Sequence, residues 1–138
     1  MLEVSRGIAL GLSQLSETSY PNEACGVLLG HLAGEQKRAT FLFPLRNTAA
    51  EAWHRFFVPA EAMLDAERLA LSRGEDVVGI FHTHPDVPAT PSEYDRTHAL
   101  PVYSYLIGSV HRGDIGELKS YVLDLDTFQF VEENVSYI

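Results

Sequence analysis

The sequence predicts an α/β fold, a mixed sheet with helices packed on it. Three observations lead there. Apolar runs of strand length recur along the chain, separated by turn residues. Other stretches carry helical spacing or helix-end residues instead. The two kinds follow one another in a mixed order: helix, strands, helix, strand, helix, strands. The length of 138 residues suits one domain over 1–138, and 46% hydrophobic residues are enough to fill its core.

The first stretch, Leu2 to Ser16, places Val4, Ile8, Leu12 and Leu15 on one helical face. The segment Glu17 to Asn22, with Pro21, breaks it. Ala24 to Leu32 is mostly apolar and reads as a buried strand. Gly34-Glu35 reads as a turn into a second strand, Ala39 to Leu45. Asn47 to Ala52 is a polar, small-residue loop, and His54 to Val58 a short strand. Pro59 then opens a helix and Gly74 closes it, with Ala60, Met63, Leu64, Ala70 and Leu71 as its apolar face. Asp76 to His84 is a strand, apolar on both faces until His82. A loop with Pro85, Pro88 and Pro91 leads to a short helix over Ser92 to Leu100. Val102 to Ser109, Glu117 to Leu125 and Phe128 to Glu132 complete the strands.

Composition excludes several functions. The net charge is −9, from 10 basic and 19 acidic residues. Such a surface repels phosphate backbones and anionic bilayers, so neither nucleic acid nor membrane is an expected partner. No apolar run approaches the ~20 residues of a membrane span. No secretory signal is visible at Met1 to Arg6, so a cytoplasmic location is expected. Cys25 is the one cysteine, which rules out an internal disulfide and any zinc site built on several thiolates.

The chemistry concentrates in His82-Thr83-His84-Pro85 and Ser92-Glu93-Tyr94-Asp95. Residues two apart on a strand share a face, so His82 and His84 project side by side at the strand's end. Residues three apart on a helix also share a face, which pairs Ser92 with Asp95. Two imidazoles and a carboxylate suit Zn²⁺ and leave a fourth position open, the mark of a catalytic site; Fe²⁺ or Mn²⁺ would also accept this set. Zinc would lower the pKa of its water to ~7, and a base close by would then be needed. Ser92-x-x-Asp95 also reads as a helix capping box. A better start lies two residues earlier, with Thr90 as cap, Pro91 at the first helical position and Glu93 as the reaching acid, which frees Ser92 and Asp95.

His-x-His-Pro followed, with seven residues after the second His, by Ser-x-x-Asp resembles the JAMM motif of the MPN+ metalloproteases. Asn22-Glu23-Ala24-Cys25-Gly26-Val27-Leu28-Leu29-Gly30 is similar to the upstream element that carries the family's glutamate in small prokaryotic members. The resemblance covers nearly the whole chain and implies the MPN, or cytidine deaminase-like, architecture. It implies that His82, His84 and Asp95 bind one zinc. Glu23 would be the general base, delivering the proton to the leaving amine. Ser92 would hydrogen-bond the oxyanion. No departure occurs at these five positions. The resemblance further implies an isopeptidase or peptidase cutting after the C-terminal Gly-Gly of a ubiquitin-like protein or sulfur carrier. An open, broad cleft is expected, with selectivity from docking of the carrier.

Other readings are weaker. A docking module that holds metal without cutting would need no Glu23. A zinc nucleobase deaminase needs Cys-x-x-Cys, which one cysteine excludes. A DNA-repair branch of the family is disfavoured by the charge. Cys25 reads as a small core residue rather than a nucleophile. His98 reads as exposed or, alternatively, as a residue behind the ligands. His31, His54 and His111 show no ligand spacing. Trp53 and Phe56-Phe57 read as core or edge aromatics, or as a grip on an extended tail.

Overall fold

The computed structural model describes residues 1–138. Its strands are β1 (Leu2–Val4), β2 (Cys25–Ala33), β3 (Gln36–Leu45), β4 (Asp76–Pro85), β5 (Ser104–His111), β6 (Asp114–Leu123), β7 (Phe130–Glu133) and β8 (Val135–Tyr137). Its helices are α1 (Arg6–Ser19), α2 (Ala60–Ser72) and α3 (Glu93–Thr97). One eight-stranded mixed sheet runs β7-β6-β5-β4-β2-β3-β1-β8. The expected α/β class with helices flanking a mixed sheet is what the chain forms.

The sheet separates two cores because successive strand residues point to opposite faces. Leu28 of β2, Phe81 of β4 and Leu106 of β5 pack with Ile8 and Leu12 of α1 on one face. Val27, Leu29, Ile80 and Tyr105 pack with Ala66 and Ala70 of α2 on the other. His82 shares the parity of Ile80 and so faces the α2 side. β4 lies between antiparallel β2 and parallel β5, with Cys25 and Ile107 opposite His82. Gly79 permits this close approach: a Cβ there would lie 2.4 Å from the Ser104 carbonyl oxygen. Gly34 turns β2 into β3 at φ +64°, a left-handed conformation that glycine adopts without penalty. Only Asn134 separates β7 from β8, yet they end the strand order on opposite sides, so the sheet curls until its edges approach.

Several sequence expectations are corrected. The first helix starts at Arg6, not Leu2, because Ser5 caps it by accepting the Ile8 N–H; Val4 belongs to a strand that β3 and β8 flank. No strand forms over His54 to Val58, where turn and irregular backbone lead into α2. Pro59 caps α2 from outside, at φ −61° and ψ 149°. Leu64 and Leu71 face solvent, Leu71 at 80% exposure; of the expected face Ala70 is buried and Met63 packs against the same core, with Ala66 as the unforeseen buried residue. The small size of Ala66 and Ala70 lets the helix approach the sheet, and apolar counting rewards large residues. The last helix ends at Thr97, and β8 had no counterpart in the sequence reading.

Candidate metal centre

The site is assembled from three backbone segments. β4 carries His82 and His84 on one face near its C-terminal end, fully buried and 6% exposed respectively. α3 brings Asp95 in its first turn. Glu23, 4% exposed, stands just ahead of β2. Ser92 caps the helix and Thr90 does not, which corrects the expected Thr90 cap. Ser92 Oγ accepts the Asp95 N–H at 3.0 Å, and the Ser92 N–H donates to Asp95 Oδ2 at 2.8 Å. The capping box and the site therefore use the same residues. Capping locks the Asp95 side chain, and the locked oxygen is the one that faces the histidines.

Three donor atoms form a nearly equilateral triangle. His82 Nε2 and His84 Nε2 are 3.2 Å apart, and Asp95 Oδ2 lies 3.3 and 3.2 Å from them. Zinc held tetrahedrally at about 2.0–2.1 Å by N and O donors sets them about 3.3 Å apart. The donor chemistry and the spacing both fit that ion. His84 Nδ1 donates to the Pro88 carbonyl at 2.9 Å, which leaves its Nε2 lone pair aimed at the centre. Glu23 offers an oxygen that joins His82 and His84 in a looser set, all within 4.8 Å. Its Oε1 is buried with no hydrogen-bond partner, as is His82 Nδ1. The residues that could hold a metal are thus His82, His84 and Asp95, with Glu23 alongside.

Electrostatics separates the two carboxylates. Burial works against ionised Asp95, but hydrogen bonding to His82 and His84 and the Ser92 N–H hold it far below the usual carboxylate range. Burial pushes Glu23 up to about 8; the Asp95 charge adds to this and His84 opposes it. Burial lowers His82 against the pull of Asp95. In His84 burial is outweighed by Asp95, the Pro88 carbonyl and Glu23, so its pKa is raised. Cys25 is fully buried, and burial with the nearby Glu23 pushes its thiol up to about 12. A protonated, inaccessible thiol is no nucleophile, so Cys25 is a core residue.

A groove opens beside the triangle. His82 and Asp95 form part of its wall, and Phe56, Val58, Met63, Leu100, Tyr103 and Tyr105 form most of the rest. The Phe56 ring stacks on His82, with centroids 4.3 Å apart and planes at 19°. Trp53 and Phe57 are exposed, at 61% and 51%, which removes them from the core. His98 also lines the groove and is exposed; it stacks on Tyr94 and its Nδ1 meets the Tyr94 carbonyl, so it does not stand behind a metal ligand. His31, His54 and His111 pair with Glu75, Glu51 and Asp86, away from the triangle. Tyr103, Tyr105 and Leu100 went unnoticed in the sequence because they read as ordinary strand and loop hydrophobics.

Comparison with known proteins gives the family and the fold. A family model described as prokaryotic homologs of the JAB domain matches residues 6–124. The desampylase of Haloferax volcanii is 37% identical over 90 residues, 64% of this chain. The match spans 63% of that protein, less than two thirds of its length. Protein DSY2949 from Desulfitobacterium hafniense superposes with a TM-score of 0.89 at 27% identity, covering 100% of this chain and 93% of that one. A solved structure of JAMM, a metalloprotease-like zinc site in the proteasome and signalosome, shares the fold at a TM-score of 0.60 and 17% identity, covering 100% and 98%. With the family model matched over most of its length, the chain belongs to the prokaryotic homologs of the JAB domain, within the JAMM/MPN family.

Proposed function

We propose that this protein is a zinc-dependent hydrolase of the JAMM type that cuts the amide bond after the Gly-Gly end of a ubiquitin-like protein or sulfur carrier. The observation that carries the reading is the triangle of His82 Nε2, His84 Nε2 and Asp95 Oδ2, with unpaired Glu23 buried next to it. The relationship to a desampylase supports a ubiquitin-like protein as the partner. We read residues 1–138 as one catalytic domain.

His82, His84 and Asp95 would hold the zinc. When bound, zinc supplies the acidity that makes a water ionise near pH ~7 and the polarisation of the scissile carbonyl. Glu23 is the base: its buried Oε1 has no hydrogen-bond partner and would take a proton from the attacking water, the zinc charge favouring its ionised form. Once protonated it is acidic enough to pass that proton to the leaving amine. Asp95, held ionised by its histidines, takes no part in proton transfer. Ser92 accepts one bond from the Asp95 N–H, so its own hydroxyl proton is free to donate to the oxyanion.

The test is hydrolysis of a ubiquitin-like carrier extended past Gly-Gly, read by intact-protein mass. Wild type is compared with Glu23→Gln and with a chelated sample. Cleavage after Gly-Gly by wild type alone is expected. Zinc bound at one per chain with no cleavage of any carrier would replace this reading with a docking module.

A further inference from the structure

Glu23 stands two residues before β2, outside the sheet's ladder. Its backbone N–H and C=O still need partners, since it is buried. The segment from Asn47 to Arg55 takes both. The Glu23 N–H donates to the Ala52 carbonyl at 2.7 Å. The Glu23 carbonyl accepts from Asn47 Nδ2 at 2.9 Å. The same nitrogen donates to the Arg55 carbonyl at 2.8 Å and approaches the Ala52 carbonyl at 3.4 Å. Asn47 Oδ1 accepts the Ala49 N–H at 3.1 Å. One carboxamide therefore closes the loop on itself and ties it to Glu23.

The loop's far end reaches the metal ligands. Arg55, held by Asn47, places its guanidinium 4.9 Å from the centre of the Tyr94 ring, one residue before Asp95. Phe56 follows and stacks on His82. A carboxamide offers two N–H donors and an acceptor in one plane, which is what this junction uses. An aspartate of the same shape would turn its oxygens on three carbonyls.

We propose that Asn47 is a positioning residue: through the loop it sets where the Glu23 carboxylate lies against His82 and His84. This rests on the reading of Glu23 as the base. Asn47 touches neither the donor triangle nor the groove, so it acts only through Glu23 and Phe56. Misplacing a catalytic group by about 1 Å costs on the order of 10²-fold in rate.

The test uses the full chain with Asn47→Asp, which keeps the shape and loses the donors, beside Asn47→Ala. Amide exchange at Glu23, read by NMR, is expected to quicken about tenfold or more in both, while amides of β5 keep their protection. On a Gly-Gly-extended carrier, kcat is expected to fall about 10²-fold, with KM and zinc affinity within about threefold of wild type. Unchanged Glu23 exchange and kcat would overturn the proposal. So would a matching loss of zinc affinity and of β5 protection, which marks a residue the whole fold needs. Quickened Glu23 exchange with zinc retained, in a protein whose wild type cuts no carrier, would uphold the placement of Glu23 and remove the proposed substrate.

Discussion

At the residue scale, two carboxyl groups beside the same histidines are set to different protonation behaviour by their neighbours. Asp95 has two imidazoles and a backbone N–H on one oxygen; Glu23 has burial and an oxygen with no partner. Glu23→Gln is expected to keep zinc stoichiometry at one per chain and to lose turnover, measured by metal analysis and the carrier assay. It also carries a pH signature in the metal-free protein. The unfolded chain ionises Glu23 near its ordinary 4.5, and the folded chain only near about 8. Between these values the folded state holds the extra proton, so this residue lowers stability as pH rises from 4.5 to about 8. Glu23→Gln should therefore match wild type near pH 4 and gain on the order of a few kcal/mol by pH 8, seen in urea unfolding with chelator present. An equal difference at both ends would remove the buried-base account. Ser92→Ala is expected to cost about 1 kcal/mol through the lost helix cap and, under the proposed oxyanion role, about 10²–10³ in kcat. Comparing denaturation with turnover separates the two losses.

At the element scale, β4 and α3 build the site jointly, and each is held by a local device. β4 needs Gly79, because a Cβ there would sit 2.4 Å from the Ser104 carbonyl oxygen. Backbone cannot yield as a flexible side chain can. Gly79→Ala is expected to cost about 1–3 kcal/mol and to weaken zinc binding by moving the strand that carries both histidines. Unfolding curves and chelator competition measure the two effects. α3 needs the Ser92–Asp95 box, and here sequence reasoning went astray. Thr90, Pro91 and Glu93 satisfy every local rule for a helix start, yet the helix begins two residues later. Local rules score each cap separately. They do not register that Asp95 Oδ2 gains two imidazoles when its own box forms. The pairing of His82 with His84 was legible because strand alternation is a local property. The exposed Leu64 and Leu71 show the converse: helical spacing reveals a face without revealing whether the sheet covers it.

At the scale of the whole molecule, the curled sheet brings distant segments together. Where its edges approach, Glu133 Oε1 accepts from Ser104 Oγ at 2.5 Å and Ser120 Oγ at 2.8 Å, and Lys37 Nζ reaches Ser104 Oγ at 2.9 Å. Both serines are fully buried. Glu133→Ala is expected to cost about 1–3 kcal/mol in urea unfolding, because buried hydroxyls lose their acceptor. Zinc at the proposed centre would be a second global term. Zinc at a hundred times its Kd stabilises a folded protein by about 2.7 kcal/mol. The thermal midpoint should rise with zinc in wild type and Glu23→Gln, and not in His82→Ala. No helix is long and apolar enough to cross a membrane.

The sequence by itself determined the α/β class and the family and singled out Glu23, His82, His84, Ser92 and Asp95 as candidates, because alternation, helical spacing and a spaced motif are written along the chain. Only the tertiary structure decided which cap α3 uses, how the unpaired Glu23 oxygen is buried, that Phe56 covers His82, and that Asn47 holds the backbone of Glu23. The physical reason is separation. Asn47 and Glu23 are 24 residues apart, and Phe56 and His82 come from different elements. No local pattern records the pairing of a loop carboxamide with a carbonyl across that gap; it exists only once the sheet has folded.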